Sequence, residues 1–394
     1  MKKSRLCLLL EIWLVSTKLG LTSFGGPVAH LGYFYEEYVR KRKWMDERSY
    51  ADLVALCQFL PGPASSQVGI GIGVVRAGVL GGILAFIGFT LPSVIALILF
   101  ATLFQGYEIA NAGWIHGLKI VAVAVVAHAI IGMAKTLTPD LHRKSLALVA
   151  LLVALLWQNT LTQVGIILVS GIIGYFLFRN QDKFVDSTIE VPISHIFSSL
   201  CLLLFFGLLV FLPIMARFTT FEWIDVFDRF YRSGSLVFGG GHIVLPLLES
   251  EFVTTGLLNE QTFLAGYGAA QAVPGPLFTF AAYIGAVMNG WKGGILATVA
   301  IFLPAFLLIF GTLPFWTSLR KNPKMKSTLM AINAAVVGIL IAAFYQPIWT
   351  SSIFKPIDFA LAALLFSMLT FLKCPPWVVV LAGAIGGYLI FVNA

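Results

Sequence analysis

The stretch Leu80–Phe104, LGGILAFIGFTLPSVIALILFATLF, contains no charged side chain. A membrane-spanning helix needs about 20 residues of this kind. Hydrocarbon offers no partner for backbone N–H and C=O groups, so a segment this long and apolar is expected to be helical. Together with four further charge-free stretches it predicts an all-α integral membrane protein. These stretches are Ser145–Phe178, Ile196–Ala216, Gly293–Leu319 and Ser327–Phe354.

The composition of the whole chain supports a lipid bilayer as its surroundings. Of the 394 residues, 59% are hydrophobic and 11% are charged, whereas soluble domains carry about 25% charged residues. The net charge of +8 resides in short loops between apolar segments, as expected for charges that set membrane topology, so nucleic acid is not an expected partner. The four cysteines are scattered without metal-binding spacing, and no cofactor or metal is expected.

Several motifs occur twice in the same order, with the second copy 212 to 214 residues after the first. The repeated motifs are Phe24-Gly25-Gly26 with Phe238-Gly239-Gly240, Pro61-Gly62-Pro63 with Pro274-Gly275-Pro276, and Gly81–Ala85 with Gly293–Ala297. The two copies of the last motif lie inside charge-free stretches. The pattern predicts an N-terminal repeat over residues 1–180, a linker with one extra transmembrane helix over 181–220, and a C-terminal repeat over 221–394.

Loop charges predict that the two halves are inverted relative to each other. Loop Glu36–Arg48 carries five basic residues, while its counterpart Glu249–Glu260 carries none. The bias reverses in the next pair, Gln105–Trp114 and Leu319–Ser327. Basic loops face the cytoplasm, so paired loops are expected on opposite sides. We predict an inverted repeat with broken or re-entrant helices and about 10–14 helical segments, an architecture typical of secondary transporters.

The two Pro-Gly-Pro motifs are expected to break helices in the middle of apolar segments. Proline removes a backbone donor, and the second proline of each motif is suited to begin a new helix. The N–H groups at such a helix start form an anion site. Ser65 and Ser66 add hydroxyl donors after Pro61-Gly62-Pro63, and Thr279 occupies the comparable place after Pro274-Gly275-Pro276. The alternative is that each motif only kinks a helix for packing.

The glycine pairs Gly25-Gly26 and Gly239-Gly240 predict a second kind of break. A cation, Lys18 or Arg232, stands six residues before the phenylalanine of each motif. Charges at membrane depth are costly and usually functional, so both cations are candidate substrate-binding residues. The alternative is a long side chain that reaches the membrane interface.

Carboxylates and histidines near these breaks are candidates for coupling transport to protons. Solvated loop-edge carboxylates and hydrogen-bonded structural histidines are the alternatives. The candidates are Glu36, Glu37, Glu249, Glu251, His30 and His242. No Walker A, HExxH or GxSxG motif is present, which argues against an ATP-driven pump and against an enzyme.

The order, spacing and duplication of these motifs resemble the chromate ion transporter (CHR) superfamily in its long form with two CHR domains. The resemblance rests on Phe24-Gly25-Gly26-Pro27, Pro61-Gly62-Pro63, Phe238–His242 and Pro274-Gly275-Pro276 and covers essentially the whole chain. It implies a multi-pass protein of a prokaryotic cell membrane that exports chromate and confers resistance to it. By resemblance, sulfate, a related tetrahedral dianion, competes for transport, and the glycine and proline motifs with their nearby cations bind substrate.

Two other functions stay open at this stage: an importer of sulfate or another oxyanion, and an anion channel. The sequence also leaves the oligomeric state open, a homodimer included.

Overall fold

In the computed structural model, residues 5–23, 26–103, 113–157, 160–177, 192–219, 221–237, 244–316, 323–350 and 352–392 are described, and all their regular structure is helical. This confirms the all-α prediction. Fifteen α-helices are present in these ranges, slightly more than expected, because backbone breaks divide apolar segments. They are α1 Arg5–Thr22, α2 Gly26–Phe34, α3 Glu47–Phe59, α4 Ala64–Leu103, α5 Gly113–Leu137, α6 Leu141–Leu156, α7 Thr160–Leu177, α8 His195–Phe218, α9 Glu222–Ser235, α10 Val244–Phe252, α11 Glu260–Ala272, α12 Phe280–Thr312, α13 Pro323–Ala343, α14 Pro356–Thr370 and α15 Pro376–Val392.

The order of helices repeats, with α1–α7 matched by α9–α15 and α8 between the two series. Equivalent helices make equivalent contacts. Gly20 of α1 lies against the carbonyl of Phe89 in α4, and Gly234 of α9 lies against the carbonyl of Ile301 in α12. In both halves, then, a glycine lets the first helix of the series approach the backbone of the fourth.

Both α4 and α12 fold back on themselves as hairpins. In α4 the turn lies at Ala77 and Gly78, and Gly78 has a φ of 71°. In α12 the equivalent turn lies at Asn289 and Gly290, with a φ of 55° at the glycine. Such backbone angles favour glycine. The arms of α4 cover 64–76 and 79–103, and those of α12 cover 280–288 and 291–312. Facing glycines at equivalent positions let the arms of each hairpin touch: Gly73 with Gly81, and Gly285 with Gly293.

The halves interlock through α5 and α13. Helix α5 packs against α14 and α15, whereas α13 packs against α6 and α7. The contacts are reciprocal: Gly117 of α5 lies against Gly387 of α15, and the equivalent residues Ala331 of α13 and Gly174 of α7 also meet. Reciprocal contacts of this kind indicate a pseudo-two-fold axis between the halves.

Four helices of the described chain are long and apolar enough to cross a membrane: α4, residues 116–135 of α5, α8, and the segment Leu277–Phe315. Shorter apolar segments lie in α7, α13, α14 and α15. Helix α8 exposes large apolar side chains such as Leu203 and Phe206, as expected of a helix that faces lipid. The chain is a multi-pass membrane protein.

The first helix and the segment that follows the Gly-Gly break form an antiparallel pair. Ser16 hydrogen-bonds Tyr38 at 3.0 Å between the hydroxyl oxygens, and Glu11 forms an ion pair with Arg42 at 3.5 Å. Arg76, beside the turn of α4, also pairs with Glu11 at 3.5 Å. The turn of α4 thus lies at the same end of the molecule as the basic loop.

Candidate functional site

Both Pro-Gly-Pro motifs interrupt the helical backbone. Helix α3 ends at Phe59 and α4 begins at Ala64, so Pro61-Gly62-Pro63 forms the connection. Pro274-Gly275-Pro276 lies equivalently between α11 and the short 3₁₀ turn before α12. The central glycines have φ angles of 113° and 114°, a conformation that residues with a side chain rarely adopt. This explains why each break contains glycine between its prolines.

Each proline break is hydrogen-bonded to the other half. The amide of Gly62 donates to the carbonyl of Val237 at 2.6 Å, and the amide of Gly275 donates to the carbonyl of Ser23 at 3.0 Å. Val237 and Ser23 are equivalent residues, each directly before a Phe-Gly-Gly motif. Phe24, Gly25, Gly239, Gly240 and His242 lie outside the described residues. Each proline break therefore meets the residue that directly precedes the Phe-Gly-Gly motif of the other half.

The start of α4 presents free donors beside the first break. The amide of Gln67 donates to the carbonyl of Pro63 at 2.9 Å, so the amides of residues 64–66 precede the helical hydrogen-bonding pattern. The Gln67 side chain donates to the carbonyl of Pro61 at 2.8 Å. Ser65 Oγ lies 3.3 Å from His30 Nδ1. These contacts fix the helix start against α2.

Four buried polar side chains near this helix start form a group that we call the first-half donor cluster: Ser23, His30, Ser66 and Thr90. Each is at most 2% exposed. Each has a polar atom with no hydrogen-bond partner among the described residues, namely Ser23 Oγ, His30 Nε2, Ser66 Oγ and Thr90 Oγ1. The nearby Gln67 Oε1, an acceptor, also has none. Native proteins satisfy nearly all such buried atoms. A group of four is therefore unusual and is typical of a site that binds something polar.

Contacts of neighbouring residues place the elements that contain the cluster side by side. The ring of His30 packs edge-on against Phe89 at a centroid distance of 5.3 Å. Ser93 donates its hydroxyl to the carbonyl of Thr90 at 2.9 Å. A Cβ atom on Gly275 would lie 2.8 Å from Ser93 Oγ and 3.6 Å from the Phe89 carbonyl. The second arm of α4 thus packs between α2 and the proline break of the other half.

The second half has no matching cluster among its described residues. The equivalents of Ser23, His30 and Thr90 are apolar: Val237, Val244 and Phe302. Thr279, the equivalent of Ser66, donates its hydroxyl to the carbonyl of Pro276 at 2.7 Å. The rings of Phe278 and Phe302 lie 5.9 Å apart between centroids. The backbone repeats between the halves, but the polar side chains do not.

The two predicted substrate-binding cations are paired with predicted coupling carboxylates. Lys18 Nζ lies 3.4 Å from Glu37 Oε2, and 60% of the lysine side chain is exposed. Arg232 holds Glu251 through two hydrogen bonds of 2.7 and 3.2 Å and Asp228 through one of 2.9 Å. The pairs occupy equivalent positions in the two halves. The structure thus brings the cations together with carboxylates and not with the proline breaks.

The coupling candidates differ in their exposure and in their charged partners. Glu36 pairs with Arg40 at 3.6 Å and with Lys41 at 3.8 Å. Burial opposes ionisation of Glu37, but hydrogen bonds from Arg42 and Lys18 outweigh it and hold the pKa of this carboxyl below its usual range. Glu249, outside the candidate spans, behaves differently, because burial raises its pKa to about 7. Of these groups Glu249 is suited to change its charge near neutral pH.

Several polar residues of this region were not predicted from sequence. Ser23, Thr90 and Ser93 are single hydroxyls in apolar segments, which are ordinary in membrane helices. Comparing the two repeats position by position would have distinguished Thr90, because its equivalent is Phe302. Lys119, in contrast, is recognisable in the sequence as a cation within an apolar segment, either functional or interfacial. It is 5% exposed, lies inside the candidate span 116–135, and forms no ion pair within 4.0 Å to a described carboxylate. Such charges usually mark ion pathways.

A helical membrane protein with two repeated halves and backbone breaks that meet at their interface is a membrane transporter by architecture. The comparison with known sequences agrees. The chromate transporter family matches residues 10–175 and 224–388, and the chain belongs to this family. The two matched regions correspond to the two series of helices, and α8 lies between them.

Three relatives show how far the similarity extends. An uncharacterized transporter of Methanocaldococcus jannaschii is 28% identical, covering 97% of this chain and 94% of the relative. The chromate transport protein of Pseudomonas aeruginosa is 26% identical, covering 95% and 91%. A probable chromate transport protein of Synechococcus elongatus is 29% identical, covering 83% and 81%. No solved structure matches the chain.

Proposed function

We propose that this chain is a secondary transporter that carries chromate, a tetrahedral oxyanion, out of a prokaryotic cell across the cytoplasmic membrane. The family and the named relatives support the substrate class. The observation that carries the mechanism is the reciprocal pair of hydrogen bonds at the breaks, from Gly62 to Val237 and from Gly275 to Ser23. Substrate sites of repeat transporters lie at the interface of the repeats, and these bonds lie there.

Binding at this interface has to replace the hydration of a dianion. An isolated ion costs tens of kcal/mol to bury in a low-dielectric medium. Helix-start amides at residues 64–66 and buried hydroxyls such as Ser66 are the available donors. Alternating access follows from movement of one half against the other, during which the cross-repeat hydrogen bonds at Gly62 and Gly275 exchange partners or break.

The paired charges suggest how transport is coupled. Lys18 pairs with Glu37, and Arg232 pairs with Glu251. A carboxylate and an oxyanion compete for the same cation, so protonation of Glu251 releases the positive charge of Arg232 to the anion. In this scheme the cations attract the substrate. The deprotonated carboxylates pair with the cations again after the substrate has left.

Inversion of the two halves is part of this proposal, as is the division into repeats over residues 1–180 and 221–394 with a linker over 181–220. Both a membrane-normal axis and an in-plane axis give reciprocal contacts, and the loop charges favour the in-plane axis.

Single cysteines placed at Lys41 and Lys324 are expected to react with a membrane-impermeant reagent only from the cytoplasm. Cysteines at Thr255 and Gly106, the latter outside the described residues, are expected to react only from outside. The reason is the alternating loop charge, because basic loops stay in the cytoplasm. Labelling of intact cells and of inverted vesicles measures this. Reaction of Lys41→Cys and Thr255→Cys from the same side would contradict the inverted arrangement.

Sulfate import and an anion channel are the competing functions. Uptake of labelled chromate and sulfate into proteoliposomes under imposed pH and voltage gradients separates them. Chromate accumulation against its electrochemical gradient is expected for the proposed transporter. Equilibration without accumulation would indicate a channel. Accumulation of sulfate alone, together with unchanged chromate sensitivity of cells that produce the protein, would indicate a sulfate importer.

Transport by the wild-type protein is expected to change with pH around the pKa of Glu249, which burial raises to about 7. Glutamine mimics the protonated carboxyl. Glu249→Gln should therefore keep, at every pH, the rate that the wild type has at low pH. Initial rates between about pH 6 and 8 measure this. Glu36→Gln is the control, since Glu36 lies in the exposed basic loop. A Glu249→Gln variant that retains the wild-type profile would exclude Glu249 from coupling.

A further inference from the structure

We propose that the oxyanion binds at a single site per chain, the first-half donor cluster, and that uncharged donors hold it there. This inference rests on the proposed function, because it requires that the chain carries an oxyanion. It adds which half binds the anion and which residues contact it. The repeats are equivalent in backbone, so a symmetric pair of sites is the natural alternative.

The cluster supplies donors of the right kind. Ser23, Ser66 and Thr90 each have a buried hydroxyl oxygen without a partner among the described residues. Because such a hydroxyl is not bonded to a backbone carbonyl, it can donate to an anion without leaving a carbonyl unsatisfied. A tetrahedral dianion has four oxygens, each able to accept more than one hydrogen bond. Three hydroxyls with the amides at residues 64–66 suit such a ligand.

His30 completes the set as a neutral donor. Its Nδ1 lies 3.3 Å from Ser65 Oγ, so the serine hydroxyl can donate to Nδ1. In the tautomer in which Ser65 donates to Nδ1, the ring proton resides on Nε2, the nitrogen that has no partner among the described residues. The partner of one ring nitrogen decides which nitrogen carries the proton. Ser65 is thus a positioning residue for His30, and the imidazole N–H is free to donate to the anion.

The helix that begins at the cluster strengthens the site. Residues 64–76 form the first arm of α4, long enough to have a partial positive charge at its start. Ser66 belongs to this helix start and is 2% exposed. The buried, unpartnered hydroxyls of Ser23 and Thr90 come from other elements. Ser23 directly follows α1, and Thr90 lies in the second arm of α4. Three separate pieces of backbone thus contribute donors.

The described residues of the second half do not offer the same side-chain donors. Val237, Val244 and Phe302 replace three of the donors, and the Thr279 hydroxyl is already donated to Pro276. Placing a dianion beside Phe278 and Phe302 would desolvate it without the hydroxyl donors that the first half supplies. The proline break of the second half therefore presents an apolar surface, and the half that binds the anion moves against this surface.

The experiment measures chromate binding to the purified full-length protein by isothermal titration calorimetry, with sulfate as a second probe. One anion per chain is expected. Ser66→Ala and Thr90→Val each remove one hydrogen bond to a charged group and should weaken binding about ten- to a hundredfold. Thr279→Val is the matched second-half control and should leave the affinity unchanged. Thr90→Ser retains the hydroxyl and should keep most of the affinity.

Two anions per chain, or equal losses in Thr279→Val and Thr90→Val, would overturn the single site. Full affinity in Ser66→Ala and Thr90→Val would also overturn it. In either case wild-type transport of chromate would still support the proposed function. A wild-type protein that binds neither anion would refute the proposed function itself. Thermal unfolding of every variant shows whether a loss of binding reflects a loss of fold, and recovery in Thr90→Ser then assigns the effect to the hydroxyl.

Discussion

Gly275→Leu is expected to abolish transport and to reduce the amount of folded protein in the membrane. The φ of Gly275 is 114°, which strains any residue with a side chain by about 1–3 kcal/mol. A Cβ atom there would also lie 2.8 Å from Ser93 Oγ, and overpacking of this kind costs about 1–3 kcal/mol. The leucine would displace the second arm of α4 or break the hydrogen bond from Gly275 to Ser23.

Gly78→Leu provides the matched control for Gly275→Leu. Gly78 also has a positive φ, 71°, but a Cβ atom there meets nothing within 4 Å. This variant should therefore show only the backbone cost and retain transport. Proteoliposome uptake and thermal unfolding, measured on both variants, test the comparison. Equal losses in the two variants would mean that backbone strain alone is responsible and that the contact between the repeats at Gly275 is unimportant.

Arg232→Gln is expected to destabilise the protein strongly. Glu251 and Asp228 are buried, and Arg232 holds both. Removing one partner of a buried pair costs roughly 3–5 kcal/mol, because the remaining charge is left uncompensated. Arg229 also reaches Glu251, at 3.5 Å, so some of this loss is offset. The double variant Arg232→Gln with Glu251→Gln removes the stranded charge and should recover part of the stability.

Lys18→Gln is the control in the first half. Its side chain is 60% exposed, and exposed ion pairs contribute about 0–1 kcal/mol. Glu37 also keeps its hydrogen bond from Arg42, at 2.8 Å. Unfolding in denaturant or heat compares the three variants with the wild-type protein under one set of conditions. If Arg232→Gln were as stable as Lys18→Gln, the buried network around Glu251 would have no structural role.

The local features of the fold follow from the sequence. Long charge-free stretches predict helices because unpaired backbone groups are too costly in hydrocarbon. Proline and glycine act through their own backbone geometry, so the breaks at residues 61–63 and 274–276 are visible in the sequence. The repeat is visible because the glycines and prolines at backbone breaks recur in the same order.

The features that depend on tertiary packing do not follow from the sequence. Lys18 and Glu37 are 19 residues apart, as are Arg232 and Glu251, and only the return of the chain after each glycine break makes them neighbours. A solitary threonine such as Thr90 looks like any helix residue that bonds its own backbone. Its hydroxyl is distinctive only because the fold buries it away from every described acceptor and donor.

The reciprocal hydrogen bonds at Gly62 and Gly275 have a consequence for how such a protein is assembled and inherited. Each half holds a peptide amide whose acceptor belongs to the other half, so neither half is complete by itself. A gene that encoded one half alone would yield a product that must find its complement in a second polypeptide of the same bilayer. Fusion through a linker that contains α8 removes that search and fixes a ratio of one to one. Fusion also allows the side chains of the two halves to diverge while their backbones remain equivalent.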